Sequence, residues 1–309
     1  MNGTSPGAIM DTCIGAGSVA GIDADTRVTL REATALILRP PDHLQFGTIP
    51  GQSLVLPLPE RASPAQVMLV FREARRPVTC SFLVTRLGHC GIAPAHARGI
   101  LAELQRTGLL TVLPQPLPVH VTGPGAPSST LVQALMRRGI AAEPIVPGSA
   151  VFGRLTPAGL VVLAGQLFPP PDVTYRLMER GVTHLPCAVV DGRVIVGPVV
   201  NPGVTPCLNC ADIAYQELDA DWRMVRAQSS TSVPAISAVS NELAATVVTG
   251  VVHEMLSAGR PFPTELPPEA LSRRMFDPRT LSLESWTPMA DPDCPACAGA
   301  RQARGLTQV

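Results

Sequence analysis

The segment "PGVTPCLNC" (residues 202–210) carries two cysteines separated by two residues, after a stretch rich in turn-forming residues. A second pair with the same spacing occurs near the other end of the chain, in "DPDCPACAG" (291–299). Two such pairs supply four thiolates, the ligand number of a closed tetrahedral zinc site. The sequence therefore predicts a structural zinc ion. Its ligands would be Cys207, Cys210, Cys294 and Cys297.

The two pairs are separated by 83 residues, 211–293. That separation far exceeds the ~15–20 residues of a compact zinc ribbon, so a shared metal would tie the end of the chain to its middle. A redox dithiol needs one such pair at the start of a helix rather than two. A redox centre and a metal-free chain remain the alternatives. The other four cysteines are expected to behave as small hydrophobic or surface residues: Cys13, Cys80, Cys90 and Cys187.

Composition narrows the class of protein. The chain has 309 residues, 46% of them hydrophobic, a formal net charge of zero and no lysine. Zero net charge disfavours bulk electrostatic binding of nucleic acid. The opening stretch lacks the basic start and long apolar core of a signal peptide, and no apolar run reaches the ~18 residues of a membrane span. We expect a cytoplasmic protein that makes no contact with a membrane.

Two modules are expected. Residues 1–26 are predicted to be a flexible tail, and residues 27–113 to form short strands, three helices and a closing strand, as in a winged helix. The segment "PQPLP" (114–118) is predicted to be a stiff linker. Residues 119–298 alternate strands and helices, which is typical of an α/β sheet, and residues 299–309 are predicted to be a second tail.

These features resemble the ThiF/MoeB-type, ubiquitin-activating-like superfamily. The stretch "HLPCAVVDGRVIVGPVVNPGVTPCLNCADIAYQELDADWRMVRAQ" (184–228) resembles the region around the first zinc knuckle of its non-adenylating branch. In that branch the protein is the leader-peptide-binding partner of a YcaO-type cyclodehydratase in thiazole/oxazole-modified microcin biosynthesis. The resemblance implies an α/β fold with an amino-terminal winged-helix-like peptide-recognition module, a degenerate Rossmann-like ThiF-type domain and a structural zinc site.

The residues of a nucleotide site are degraded. The loop "GPGAPS" (123–128) keeps Gly123 and Gly125 but has Ser128 where a third glycine is expected. Two of its residues are prolines, which have no N–H to offer a phosphate. The active family uses an Asp-Asn pair, a lysine and a thioester-forming cysteine. This chain has "LAGQLFPPPD" (163–172) at the acidic position, no lysine, and no cysteine between the two pairs. We therefore expect no ATP activation by this chain.

With no ATP activation expected, peptide binding is the function that the resemblance still implies. In the related proteins the leader adds as a strand to the winged-helix sheet and packs against its third helix, a mode called strand augmentation. The resemblance places that groove between residues 53–59 and 95–108. Two of the helix leucines, at 101 and 104, fit a plain core position as well. The candidate peptide-binding residues are Val55, Leu56, Arg98, Leu101 and Leu104.

The favoured interpretation is a non-catalytic partner that presents a precursor peptide for azoline formation by a YcaO-like enzyme, with the long helix at 233–256 as a candidate homodimer surface. One alternative is an active adenylating enzyme of the ThiF/MoeB kind. A second is a winged-helix DNA-binding regulator, which the neutral charge and the lack of a strongly basic recognition helix disfavour.

Overall fold

The computed structural model describes residues 23–113, 119–231, 235–257, 271–303 and 305. The chain divides into two compact units, Met1–Leu113 and Pro114–Val309, which we call the amino-terminal and the carboxy-terminal unit. The predicted linker at 114–118 lies outside the described residues.

The amino-terminal unit contains three helices and six short strands. The strands are β1 (Arg27–Leu30), β2 (Leu36–Arg39), β3 (His43–Phe46), β4 (Leu54–Pro57), β5 (Val78–Thr79) and β6 (Leu110–Val112). The helices are α1 (Pro64–Glu73), α2 (Cys80–His89) and α3 (Pro94–Arg106). One antiparallel sheet has the order β5-β1-β6, and a separate antiparallel meander has the order β2-β3-β4. This order of elements follows the sequence-based expectation; the winged-helix-like interpretation stays a prediction.

One apolar core holds this unit together. Apolar residues of α3 recur at the i, i+3, i+4 and i+7 spacing of one helical face, from Ala97 to Leu104, and all of them are buried. The meander contributes Leu44 and Phe46 to the same core, and the Phe46 ring lies edge-on to Phe71 at a centroid distance of 5.1 Å. The meander therefore turns one face inward and leaves the other face outward.

The carboxy-terminal unit alternates strands and helices before an antiparallel extension. Its strands are β7 (Val119–Thr122), β8 (Ala142–Pro144), β9 (Leu160–Ala164), β10 (Thr183–Val190), β11 (Arg193–Val196), β12 (Arg273–Asp277) and β13 (Ser282–Trp286). Its helices are α4 (Gly125–Arg137), α5 (Ala150–Gly153), α6 (Pro171–Glu179), α7 (Leu208–Leu218), α8 (Trp222–Thr231), α9 (Ala238–Ser257) and α10 (Pro295–Ala303).

All seven strands join one sheet in the order β13-β12-β11-β10-β9-β7-β8. The strands β8, β7, β9 and β10 are parallel to one another. The pairs β10–β11, β11–β12 and β12–β13 are antiparallel. The β10–β11 hairpin turns at Asp191 and Gly192, a residue pair that predicts such a turn: Val190 pairs with Arg193, and Asp191 and Gly192 both have positive φ, as a type I′ turn requires. Because β8 and β9 lie on opposite sides of β7, the chain reverses direction at the β7–β9 boundary, where ligands bind in open α/β sheets.

Helices cover both faces of this sheet. On one face, α4 and α9 pack against Val119, Val162 and Leu185. On the other face, α6 and the four predicted metal ligands pack against Val161 and Leu163. Successive side chains of a strand point to opposite faces, so β9, buried at all five positions, carries both cores.

The described structure extends into both predicted tails. Cys80 N and Ser81 N, at the start of α2, donate to the carbonyls of Thr26 and Ala24, which ties down the end of the expected flexible tail. The predicted carboxy-terminal tail begins inside α10, because Ala300 is buried against α6. The rest of both tails lies largely outside the described residues.

The long helix is shorter than predicted and is mainly a core element. It begins at Ala238 rather than near residue 233. Its middle and end pack on α4, β10 and β11, with Val248 and Val252 fully buried, while Val239 near its start is 76% exposed. Its homodimer role stays a prediction. None of the helices in the described parts of the chain combines the length and the apolar character that crossing a membrane demands.

Candidate functional site

The four predicted metal ligands come together in a buried cluster, which we call the cysteine cluster. The Sγ atoms of Cys207 and Cys210 are 3.8 Å apart, and 3.5 Å separates both the Cys207–Cys294 and the Cys210–Cys297 Sγ pairs. All four Sγ atoms lie within 4.8 Å of one another. The cluster thus joins the start of α7 to the start of α10.

The loop before α7 is held in place by one threonine. Asn201 N donates to Thr205 Oγ1 at 2.8 Å, and Thr205 Oγ1 in turn donates to the Val199 carbonyl at 3.2 Å. The helix then begins at Leu208, with Cys207 at the N-cap position. Cys294 immediately precedes α10, whose first residue is Pro295. Each pair therefore straddles a helix start, where the two residues between the cysteines turn both sulfurs to one side.

Two N–H groups from outside the sulfur set donate to the cluster. Asn209 Nδ2 lies 3.2 Å from Cys294 Sγ, and the backbone N of Asp291 lies 3.5 Å from Cys210 Sγ. Hydrogen bonds from the neighbouring thiols, that of Cys207 first, lower the pKa of Cys294, and Asn209 acts in the same direction. Hydrogen bonds to its thiol neighbours, Cys210 first, raise the pKa of Cys207. Sulfurs this close cannot all ionise without a cation between them.

The sulfur spacing matches a metal better than a disulfide. A zinc ion with Zn–S bonds of about 2.3 Å in tetrahedral geometry sets its sulfurs about 3.8 Å apart. A disulfide requires about 2.05 Å, and all four cysteines are free thiols. The cluster could hold a metal ion, and its ligand set and burial suit a structural role.

The degenerate glycine loop follows β7 at the point where the sheet reverses direction. Gly123 has φ +149°, and a Cβ there would lie 1.9 Å from the Ala164 carbonyl oxygen. Gly123 is thus needed for the approach of β7 to β9. Gly125 begins α4 with open space around it, and Ser128 is buried within α4. The structure therefore gives Gly123 a packing reason independent of any nucleotide.

We call the space between the carboxyl ends of β7 and β9 the crevice, and side chains fill it. A Cβ on Gly165 would meet the rings of Pro127 at 3.1 Å and Pro124 at 3.3 Å. From α9, Asn241 Nδ2 donates to the Ala126 carbonyl at 3.2 Å and to Thr130 Oγ1 at 2.8 Å. The cavity left here has a volume of about 20 Å³, room for about one water molecule.

Two acidic residues of this unit, Glu143 and Asp172, lie outside the crevice. Glu143 lies on β8 rather than in a loop; it is exposed, and its carboxylate lies 3.0 Å from His120 Nδ1. Asp172 is exposed in the first turn of α6, where its negative charge interacts favourably with the positive end of the helix dipole. It does not cap the helix, because Pro170 occupies the N-cap position and no side chain accepts a capping hydrogen bond there.

The candidate peptide-binding residues divide into two groups. Leu56, Leu101 and Leu104 are core residues, with exposed fractions of 5%, 1% and 0%. Val55 is half-buried and Arg98 is exposed. The three leucines are therefore not free to line a groove within this unit, because both α3 and the meander use them to close the core. Only Val55 and Arg98 keep accessible surface.

The edge of the meander at β4 is open within the described part of the unit. Leu58 N donates to the Asp42 carbonyl, so residues 54, 56 and 58 direct their backbone groups toward β3. The alternation of an antiparallel ladder then directs the N–H and C=O of Val55 away from β3. Pro57, which lacks an N–H, limits the length of this edge.

Sequence reasoning missed a second cluster, formed by aromatic rings around a buried arginine. Arg273, 4% exposed, donates to the Gly197 carbonyl at 3.2 Å and to the Tyr215 hydroxyl at 2.9 Å. Its guanidinium lies 5.5 to 6.0 Å from the ring centroids of Phe168, Tyr215 and Trp286. The available signal was the scarcity of aromatic residues, since both tryptophans of the chain lie here.

His184 and Cys187 lie three residues apart in the sequence but do not form a catalytic dyad. Burial lowers the pKa of His184 to about 4 and raises the pKa of Cys187 to about 12, so both are neutral near pH 7. Cys187 belongs to the core beneath α4 and α9, whereas His184 lies on the side of the cysteine cluster. The three-residue offset along β10 places the two side chains on opposite faces.

Comparison with known proteins identifies solved structures that are similar to this chain in fold. No protein-family model matches the chain. No curated protein matches it either. A solved heterocyclase in complex with substrate and cofactor is similar at a TM-score of 0.58 and 15% identity, over 92% of this chain and 41% of that one. The heterocyclase TruD is similar at a TM-score of 0.54 and 17% identity, over 92% and 45%. The chain thus spans less than half the length of these heterocyclases and shares their fold.

Proposed function

We propose that this chain is a non-catalytic partner in the biosynthesis of thiazole- and oxazole-modified ribosomal peptides. Its amino-terminal unit would bind the leader of a precursor peptide, and its carboxy-terminal unit would dock a YcaO-type cyclodehydratase. One contrast carries the proposal: the strand edge of the first unit is open, while the ligand crevice of the second is filled. The similarity in fold to two heterocyclases supports the reaction context.

The binding step is addition of a leader strand to β4. The outward N–H and C=O of Val55 can pair with one residue of an extended peptide, and main-chain hydrogen bonds of this kind supply affinity without requiring a particular sequence. Alternate side chains of the added strand would lie beside Val55 and Pro57, the β4 residues on the outward face of the meander. Those neighbours would select the register of the leader.

Arg98 is the remaining candidate on α3. It is exposed and makes no ion pair with any described residue, so its guanidinium is free for an acidic or carbonyl group of the leader. The buried leucines of α3 would act indirectly by holding the helix against α2 and β6. We therefore assign contact with the leader to Val55 and Arg98 and a supporting role to Leu56, Leu101 and Leu104.

The carboxy-terminal unit would serve as a scaffold. We propose that the cysteine cluster binds one zinc ion, which neutralises the thiolates and joins α7 to α10. Such a closed site leaves no position for a substrate. The partner enzyme would use ATP to convert Cys, Ser or Thr side chains to azolines. The scaffold would form a homodimer or a complex with that enzyme in the cytoplasm.

The test of leader binding uses a pair of proline variants. Val55→Pro removes the outward N–H of β4 and leaves the β3–β4 ladder intact, because that N–H does not point toward β3. Leu38→Pro is the matched control, since residues 37 and 39 pair with β3 and Leu38 faces the opposite edge. The ligands are the small peptides encoded beside the gene, labelled for fluorescence polarisation.

We expect Val55→Pro to weaken binding of one such peptide at least about tenfold, the equivalent of ~1.4 kcal/mol. Leu38→Pro should bind as the unmodified chain does. Equal affinities in all three proteins would overturn the assignment of the leader to β4, provided that circular dichroism shows both variants folded.

The adenylating alternative can be tested on the purified chain. The filled crevice and the absence of lysine argue against it. ATP–pyrophosphate exchange should stay at background, with and without the peptides. Exchange above background would replace our proposal with an active enzyme, and salt-sensitive binding of duplex DNA would revive the regulator alternative.

A further inference from the structure

A second cavity lies beside the cysteine cluster, away from the crevice. Its walls come from α6, β10, α7, α8 and the start of α10, and its volume is about 60 Å³. One water needs ~10–15 Å³ by this measure, so the space takes a group of about four or five non-hydrogen atoms. All of its walls belong to the carboxy-terminal unit. We call it the His184 cavity.

His184 presents an unused acceptor in this wall. The side chain is 0% exposed, and its Nδ1 lies 2.9 Å from the Val182 carbonyl. A carbonyl can only accept, so Nδ1 carries the proton and Nε2 carries a lone pair. Nε2 has no hydrogen-bond partner in the described structure. A buried acceptor left in this state destabilises a protein by about 1–3 kcal/mol, so a donor in the cavity would stabilise the fold.

The start of α7 supplies donors on another wall. Cys207 occupies the N-cap position, but its side chain accepts no capping hydrogen bond. The first N–H groups of a helix have no acceptor within the helix. Leu208 and Asn209 both line the cavity, and neither N–H donates to a backbone carbonyl outside the helix among the described residues. The cavity therefore offers donors and an acceptor together.

The charged residues of the cavity are already paired with each other. Arg226 Nε donates to Asp212 Oδ2 at 2.9 Å, and Trp222 Nε1 donates to Asp212 Oδ1 at 3.3 Å. The terminal nitrogens of Arg226 donate to two backbone carbonyls, at 3.3 and 2.9 Å. With these charges neutralised, and with the lone pair of His184 facing any incoming anion, the cavity favours an uncharged ligand.

We propose that the His184 cavity binds a small neutral amide, such as the carboxamide of an asparagine or glutamine side chain. The amide N–H would donate to His184 Nε2, and the amide oxygen would accept from the first N–H groups of α7. Acetamide, with four non-hydrogen atoms, fits the available volume. This site is separate from β4, and the proposal does not depend on leader binding.

The experiment uses the full-length metal-loaded chain, with its histidines labelled with ¹⁵N. Acetamide is titrated while the His184 Nε2 resonance is followed by NMR. Acetone is the matched control ligand, because it has the same number of non-hydrogen atoms as acetamide, keeps the carbonyl oxygen and lacks the N–H donor. We expect a saturable shift with acetamide and binding of acetone that is weaker by about tenfold or more.

A variant provides the second arm. His184→Phe keeps an aromatic ring and removes the acceptor, so acetamide should no longer stabilise the protein against thermal unfolding. His120→Phe, on β7 and outside the cavity, should keep the acetamide response. Equal responses to acetamide and acetone, or a crystal structure of the acetamide-soaked protein with only ordered water beside His184, would overturn the proposal.

Discussion

The cysteine cluster and the crevice lie in the same unit but differ in which parts of a binding site they contain. In the cysteine cluster every ligand is present, at sulfur–sulfur distances of 3.5 to 3.8 Å for the closest pairs. In the crevice Gly123 follows β7 and Gly165 follows β9, at the position where open α/β sheets bind ligands. Proline rings and Asn241 occupy its space. The first site has a ligand set that could hold a metal ion, and the second is closed by packing.

The difference lies in what each site contributes to stability. The cysteine cluster joins segments 83 residues apart, so loss of one ligand should affect the whole unit. The crevice is stabilised by contacts of Gly123, Pro127 and Asn241 that need no ligand. A crevice that retained a nucleotide would gain stability from ATP, whereas a crevice filled by side chains should not.

The largest expected effect concerns a metal ligand. Cys207→Ser should lower the free energy of unfolding by about 4 kcal/mol or more, because it removes a thiolate from a closed site. Cys187→Ser is the matched control, because Cys187 is also buried, lies in the same unit and has no hydrogen-bonded sulfur neighbour among the described residues. Its substitution should lower the free energy of unfolding by about 1 kcal/mol. Chemical denaturation with metal analysis measures both. Equal losses would remove the distinction between ligand and core cysteine.

The next effect tests the packing role of the crevice. Gly123→Ala should cost about 3 kcal/mol or more, because its Cβ would collide with the Ala164 carbonyl at a φ that disfavours side chains. Gly125→Ala in the same loop has open space and begins α4, so it should be neutral or stabilising by a few tenths of a kcal/mol. Thermal unfolding of both variants checks this. A neutral Gly123→Ala would show that β7 and β9 do not approach as described.

A smaller effect is expected at the buried arginine. Arg273→Met keeps much of the volume but leaves the Gly197 carbonyl and the Tyr215 hydroxyl without their donor, so we expect a loss of about 2 kcal/mol. Arg274→Met on the same strand should change stability by less than about 0.5 kcal/mol, since the side chain of Arg274 is half-buried and forms no hydrogen bond with another described residue. Urea denaturation distinguishes the two, and similar losses would mean that the aromatic cluster does not depend on the guanidinium.

The cysteine cluster was predictable because its chemistry is local. Two residues between Cys207 and Cys210, repeated at Cys294 and Cys297, set the ligand count whatever the fold does. The alternating strands and helices of the second unit were also predictable, since β9 is a short apolar run and β10–β11 turns at Asp191-Gly192.

Two features could not be predicted from local sequence: the filling of the crevice by side chains, and the burial of the α3 leucines in the core. Asn241 lies more than 110 residues from Ala126 along the chain. No local pattern indicates that the Asn241 side chain donates to the Ala126 carbonyl. Leu101 and Leu104 fit either a core or a groove, because helical periodicity identifies an apolar face without naming its partner. Arg273 is a similar case, since an arginine on a strand gives no sign of burial.

The most direct test of the account is native mass spectrometry of the chain co-expressed with the open reading frames beside its gene. We predict one zinc ion per chain, a bound peptide or YcaO-like protein, and no nucleotide. We also predict that Val55→Pro loses the peptide and keeps the zinc. A chain that carries ATP or AMP, or that lacks the metal and binds none of its neighbours, would contradict the account.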